Sequence, residues 1–309
     1  MGVPRLRSGL VSLSLSEDEI EPSNIKMKNQ KSELKEIVFL NDKFLSAHEA
    51  KISVLEPGFL YGWGLFETMR SYNNKIVYFA EHLKRIKNSC RLIDLRFPYP
   101  LAQLKKIIKK TIEINGFRDA YLRLTLWKSD QGTDTLITVK KYYPYPSLKY
   151  RQGFRVCICS FRQNKNSFLT RLKTTNYLFY QLAYAEAKKK KFDEALILNS
   201  LGYITEGSRS NIFLVKDNRL FTPALECGCL DGITRRVIFN LAQKYNIKLY
   251  AANFTVQDLY EADGAFFTNS LMGIMPLTFL GKHSVAKGLV DRLTKFFMKK
   301  YNILLKNGT

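Results

Sequence analysis

Between Ile37 and Phe79 the chain sets short apolar runs on either side of paired Asn and Asp residues, and then it changes rhythm. Ile37-Val38-Phe39-Leu40 meets Asn41-Asp42 and continues as Phe44-Leu45. Phe66 to Tyr72 meets Asn73-Asn74 and continues from Ile76 to Phe79. Asn and Asp tolerate the backbone that tight hairpin turns demand, so both stretches predict β-hairpins. Apolar residues then recur at helical spacing, at Leu83, Ile86, Cys90 and Ile93 and again at Leu104, Ile107, Ile108 and Ile112. Residues 119–127 and 134–141 return to strand-like runs and complete one sheet. Hairpins, two helices and further strands make an α+β domain, here over residues 33–150.

At 309 residues the chain exceeds what a single core usually fills, so a second domain is expected over residues 151–309. It starts after the link Tyr142-Tyr143-Pro144-Tyr145-Pro146. A helix is expected from Tyr177, with Leu178, Leu182 and Ala185 on one face. Strands at 194–199, 202–206, 211–216 and 219–222, joined by the turns Ser200-Leu201 and Asp217-Asn218, read as a meander. A further helix from Ile233 turns Val237, Ile238, Leu241, Ala242 and Tyr245 inward. Residues 1–32 have no sustained period and read as a disordered extension, or as sequence ahead of a true start at Met27.

Several function classes drop out on composition. The chain is 46% hydrophobic and 13% aromatic, which fits a folded enzyme-sized protein. No apolar run approaches the ~18–20 residues that span a bilayer, so no membrane span is expected; the cytoplasm is expected from the cysteines. Cys90, Cys157, Cys159, Cys227 and Cys229 are an odd number in a chain too large to need disulfides, and they read as reduced core thiols with no metal bound. The net charge of +22 comes from scattered lysines, and Lys188 to Lys191 sit where cations favour the end of a helix. A solvated basic surface follows, with no nucleic acid as partner and some attraction for anionic metabolites.

The chemistry lies in an ordered set of groups. A lysine such as Lys173 can form a Schiff base with an aldehyde cofactor and, with its pKa depressed by burial, move a proton. Such a cofactor works as an electron sink when an acid faces its ring nitrogen, and Glu206 stands ahead of a Gly-Ser turn in a suitable place. Its phosphate needs free backbone amides at a helix start plus a fixed cation. Gly232-Ile233-Thr234 opens a well-patterned helix, and Arg85 can supply the guanidinium.

Over residues 35–285 these pieces resemble the class IV aminotransferases, a family that includes branched-chain aminotransferases, D-amino-acid aminotransferases and 4-amino-4-deoxychorismate lyases. The resemblance is carried by Phe59 to Gly62, Leu65 to Arg70, Glu81 to Arg85, Lys173 to Tyr177, Glu206 to Asn211, Gly232 to Arg235 and Thr268 to Ser270. It implies a two-domain fold type IV pyridoxal-phosphate enzyme, a small α+β domain beside a larger pseudo-barrel α/β domain. It further implies Lys173 as the Schiff-base lysine and Glu206 as the partner of the pyridine nitrogen. Arg85, Ile233, Thr234 and Ser270 are implied as phosphate contacts, with Tyr177 near the phenolic oxygen, although the interval from lysine to tyrosine is one residue shorter than in branched-chain enzymes. The family is usually a homodimer whose partner loop helps to close the site.

Two members of the family compete for this chain. Tyr121-Leu122-Arg123 looks like the strand on which branched-chain enzymes bind a substrate carboxylate, and Tyr61 and Phe66 are taken as further substrate-binding residues. The runs Cys229 to Thr234 and Thr268 to Pro276 look more like the lyases. Trp63 stands where many lyases and D-amino-acid enzymes carry Asp, either as a pocket wall or as packing between the domains, and no Arg-x-His pair of the D-amino-acid kind follows Trp127. The expected activity is transfer of an amino group between a branched-chain type L-amino acid and a 2-oxo acid. The alternative is elimination of pyruvate from aminodeoxychorismate to give 4-aminobenzoate.

Overall fold

The structure, a computed structural model, describes residues 36–307, so the reading of residues 1–32 lies outside the described residues. Six strands form the first sheet: β1 (Ile37–Leu40), β2 (Lys43–Ser46), β3 (Gly64–Tyr72), β4 (Lys75–Ile76), β5 (Ala120–Ser129) and β6 (Gly132–Lys141). Their order is β2-β1-β6-β5-β3-β4, antiparallel throughout. Asn41 and Asp42, at φ 38° and 60°, and Asn73 and Asn74, at 47° and 64°, make the two expected turns. The second hairpin is shorter than expected. β4 ends at Ile76, Tyr78 takes φ 51°, and Phe79 starts the helix Phe79–Leu92 instead of ending a strand.

β5 buries alternate residues, Ala120, Leu122, Leu124 and Leu126, because successive side chains on a strand point to opposite faces. The helices Phe79–Leu92 and Leu101–Ile114 cover that face with Leu83, Ile86, Cys90, Leu104, Ile108 and Ile112. The other face carries Tyr121 and Arg123 of β5 with Phe66 and Thr68 of β3, where Thr68 and Arg123 are direct cross-strand partners.

Nine strands form the second sheet: β7 (Phe154–Ile158), β8 (Glu194–Leu198), β9 (Ile204–Gly207), β10 (Asn211–Lys216), β11 (Arg219–Pro223), β12 (Leu249–Ala252), β13 (Gly264–Asn269), β14 (Gly273–Leu280) and β15 (His283–Ser284). The path is β12-β11-β10-β13-β14-β7-β8-β9, with β15 on β14. The expected meander is therefore two separate hairpins, β8-β9 and β10-β11. β10 takes β13 as its other neighbour, because Gly207 and Ser210 close a sharp turn that breaks the ladder. β9 still lies against β10 and β11, which curls the sheet into a half-barrel.

The helix Leu178–Lys189 buries Ala183 and Ala187, while Leu178 and Leu182 are 69% and 51% exposed and Ala185 is exposed too. The expected inward stripe thus faces out. Two alanines allow close approach to Cys157, Cys159, Ala195 and Ile197, a fit that leucines in their place would prevent. The helix Ile233–Lys244 does bury Val237, Ile238, Leu241 and Ala242, with Tyr245 packed at the edge of the same cluster. All five cysteines are buried free thiols, and no helix among the described residues is long and apolar enough to cross a membrane.

Candidate active site

A cavity of about 290 Å³ opens where the polar face of the first sheet meets the ends of β9, β10 and β13. That volume sits near the lower end for small-molecule sites. Lys173, Glu206, Arg85, Tyr177, Ile233, Thr234, Ser270, Phe66, Tyr121 and Arg123 all line it. Residues remote in the chain thus share one wall. Tyr61 is the exception among the expected site residues. It follows the short helix Pro57–Leu60, is 70% exposed and does not line this cavity.

Lys173 is anchored by its backbone, whose carbonyl accepts from the Phe66 amide at 2.9 Å. Its ammonium lies 4.5 Å from the centre of the Phe66 ring and 5.6 Å from that of Tyr177. Burial, reinforced by the nearby Arg85 guanidinium, brings the Lys173 amine down to about 8, against the pull of Glu67 and Glu206. Glu206 is buried as well. Its oxygens accept from the Leu230 amide at 3.1 Å and the Tyr180 hydroxyl at 3.0 Å. Burial outweighs these bonds and pushes the carboxyl up to about 7. The acid is oriented but short of positive charge.

Glu67, 1% exposed, does not line the cavity but organises a polar cluster around Arg85, which does. It accepts from Arg85 through Nε and Nη2, both at 2.7 Å, a bidentate pairing that fixes the guanidinium plane. Its second partner is His82 Nδ1 at 2.6 Å. Burial alone would raise the Glu67 carboxyl, yet Arg85 and His82 outweigh it and hold it at about 2. Burial lowers His82, which leaves the imidazole neutral. With Nδ1 donating to Glu67, Nε2 is the acceptor, and the Ser270 hydroxyl donates to it at 3.2 Å. Arg85 also donates through Nη1 to the Asp231 carbonyl at 3.0 Å, tying it to the residue before Gly232.

Gly232 is the N-cap of the helix Ile233–Lys244, and no side chain caps the amides there. A Cβ at Gly232 would run into the side-chain oxygen of Asn211, so glycine is required for this close turn. Uncapped amides, the Thr234 hydroxyl, Arg85 and Ser270 converge on one end of the cavity, and that is the donor set an anion such as a phosphate takes. The hydroxyl of Thr268, also lining the cavity, is buried without a hydrogen-bond partner. The residues present fit a phosphorylated ring whose nitrogen meets an acid.

Tyr177 stacks on Tyr180 at 4.9 Å and meets Phe66 edge-on at 5.2 Å. Its hydroxyl donates to the Ser208 carbonyl at 3.0 Å. Arg123 lies over the Phe66 ring at 3.7 Å, and its Nε donates to Thr125 at 3.3 Å. Trp63 does not line this cavity; it is 40% exposed, and its indole N–H donates to the Ile93 carbonyl at 2.9 Å, a contact within residues 33–150 and not between the two expected domains. Glu67, His82, Tyr180 and Glu194 are the members that sequence reasoning did not single out. An acid in the middle of the apolar run Gly64–Tyr72 was the one available signal, since a charge buried on a strand needs partners.

A family model described as amino-transferase class IV matches residues 64–279. The branched-chain-amino-acid aminotransferase of Pseudomonas aeruginosa is 28% identical over 289 residues, 88% of this chain and 94% of its own length. The aminodeoxychorismate lyase of Bacillus subtilis is 28% identical over 254 residues, 78% of this chain and 86% of its own. The branched-chain amino acid aminotransferase of T.th., complexed with N-(5'-phosphopyridoxyl)-L-glutamate, aligns with a TM-score of 0.82 at 26% identity, covering 89% of this chain and 95% of that one. The putative branched-chain-amino-acid aminotransferase of Methanocaldococcus jannaschii stands above both, at 32% identity over 274 residues, 85% of this chain and 94% of its own.

Proposed function

The chain belongs to the amino-transferase class IV family, and from that premise we propose that it is a pyridoxal-phosphate enzyme moving an amino group between a branched-chain type L-amino acid and a 2-oxo acid. The observation that carries this reading is the shared cavity of Lys173 and Glu206, an amine brought down to about 8 and an acid short of a cation. In this reading residues 33–150 form a small domain and residues 151–309 a larger one, with the cavity between them.

Pyridoxal phosphate, when bound, supplies an aldehyde that condenses with amines and a ring that accepts electrons from the substrate carbon. Arg85, the amides of Ile233 and Thr234 and the Ser270 hydroxyl, its proton turned away from His82, would hold its phosphate. Glu206 would face the ring nitrogen, and a proton there would supply the positive charge the acid lacks. Tyr177 packs beside the ring. The Lys173 amine is neutral often enough near pH 7 to take and return a proton at the substrate α-carbon. Arg123 offers its fork to a substrate carboxylate, with Tyr121 beside it and Phe66 as an apolar wall.

The exposed residues Val54, Leu55, Phe59, Leu60 and Tyr61 form one stretch of apolar surface. In the proposed homodimer this stretch packs on a second copy and Tyr61 acts at the partner's site. The cytoplasm is the proposed location. The lyase reading keeps support from the Bacillus subtilis relative and from the runs Cys229 to Thr234 and Thr268 to Pro276.

One set of assays tests the proposal. Purified protein is expected to be yellow, to run at twice the chain mass in light scattering, and to pass from aldehyde to amine form on mixing with L-leucine alone. Lys173→Ala is expected to lose borohydride-reducible label and activity. Release of 4-aminobenzoate from aminodeoxychorismate with no half-reaction on leucine gives the lyase reading instead. Unchanged label in Lys173→Ala refutes the cofactor assignment itself.

A further inference from the structure

A second cavity, of about 310 Å³, shares Ser270, Leu271 and Met272 with the active site and none of its charged residues. Arg70 on β3, the helix Ser147–Gln152, the start of β14 and the helix Arg292–Asn307 complete its walls. Two tyrosines fix the shared loop. The Tyr142 hydroxyl donates to the Leu271 carbonyl at 2.6 Å, and the Tyr150 hydroxyl donates to the Met272 carbonyl at 2.9 Å. The amides of the same two loop residues donate to the Asn269 side-chain oxygen at 3.0 and 2.8 Å. Gly273 ends the loop at φ 70°, where a Cβ would run into the Tyr301 ring.

Arg70 has no comparable partner. Its guanidinium lies over the Tyr142 ring, 4.0 Å from the centre, with the Tyr72 ring at 5.4 Å. Its Nε is buried without a hydrogen-bond partner, and among the described residues Arg70 forms no ion pair. Of the described residues that line this cavity, Arg70 alone is charged. A guanidinium keeps its charge at any working pH, and stacking on tyrosine leaves its in-plane N–H edge to match a carboxylate. The wall around it is apolar, made by Leu271, Met272, Ile274, Met298 and Leu305. One cation set in an apolar wall fixes the orientation of a ligand that is otherwise hydrophobic.

We propose that this cavity binds a small organic acid, a single carboxylate on an apolar body, with Arg70 taking the carboxylate and Met272, Met298 and Leu305 the body. The site is distinct from the cavity of Lys173 and Glu206 and does not depend on the reaction assigned to it. Its occupant sits against the loop that carries Ser270.

Calorimetric titration of the purified full-length protein with 3-phenylpropionate tests this, in an Arg123→Gln background so that the active-site arginine does not compete for the acid. One acid per chain is expected to bind, and Arg70→Gln added to that background is expected to weaken it at least tenfold. The uncharged 3-phenylpropanamide and inorganic phosphate, which has charge without an apolar body, are each expected to bind at least tenfold more weakly than the acid. Leu305→Trp fills the apolar wall with Arg70 in place, so it decides the matter where Arg70→Gln does not fold, and it is expected to weaken the acid at least fivefold. Absence of acid binding in the Arg123→Gln protein, unchanged affinity in either added variant, or amide or phosphate bound as tightly as the acid overturns the proposal.

Discussion

β5 and β9 both supply the cavity, yet they are buried in opposite ways. β5 alternates, with Leu122 and Leu124 fully buried under two helices while Tyr121 and Arg123 look into the site. β9 is buried at every position, so Thr205 and Glu206 are enclosed on both sides of the strand. The first arrangement separates the work: one face stabilises and the other carries chemistry. The second places an acid inside packed structure, where each hydrogen bond must offset the cost of leaving water. The two regions should therefore respond differently to substitution, and three experiments press on that difference.

The largest effect is expected at Glu67, the acid that links strand to cradle. Glu67→Gln leaves the Arg85 guanidinium without its anion and His82 with a weaker acceptor, and removing one member of a buried pair costs about 3–5 kcal/mol. A lower urea midpoint and at least tenfold weaker pyridoxal-phosphate binding in absorbance titration are expected together. Loss of stability with unchanged cofactor affinity would show that Glu67 serves packing alone.

On the apolar side, Leu122→Ala removes a fully buried side chain and is expected to cost about 3 kcal/mol by the cavity it leaves. Cofactor affinity of the folded protein should stay within twofold. A matching loss of affinity would mean that the two faces of β5 are not separable.

The smallest effect concerns pH in cofactor-free protein. Glu206 sits at about 7 in the folded state against 4.5 when unconstrained, so the folded protein holds that proton more tightly. Its contribution is full below pH 4.5 and is lost as the pH rises to 7, by up to about 3 kcal/mol. Lys173, brought down to about 8, acts above this window. Urea midpoints of wild type should fall between pH 5 and 7, and those of Glu206→Gln should fall less. Parallel curves for the two proteins would place the Glu206 proton elsewhere.

Much of this was legible in the chain because it is local. The turn residues Asn41, Asp42, Asn73 and Asn74 wrote their own positive φ, and the helical spacing of Leu104, Ile108 and Ile112 marked the buried face. Matching chemical need to order along the chain picked out Lys173, Glu206 and Arg85, which the fold brings to one cavity. It missed Glu67 and His82, whose meaning depends on each other across two elements. It also misjudged the helix Leu178–Lys189, since a stripe of leucines reads as a core face whether or not the neighbour is close enough to want alanine.

The sequence by itself determined the hairpin turns, the helix periods and the order in which amine, acid and anion cradle appear, because turn chemistry and side-chain spacing act over a few residues. Tertiary structure alone decided that β10 would leave β9 for β13, that Tyr61 would stay outside the cavity, and that Arg70 would line a second cavity with its Nε unpartnered. Those outcomes depend on which distant surfaces meet and which charges are left over when they do. A buried charge acquires its character from partners the chain brings in from far away, and its own neighbours in sequence do not name them.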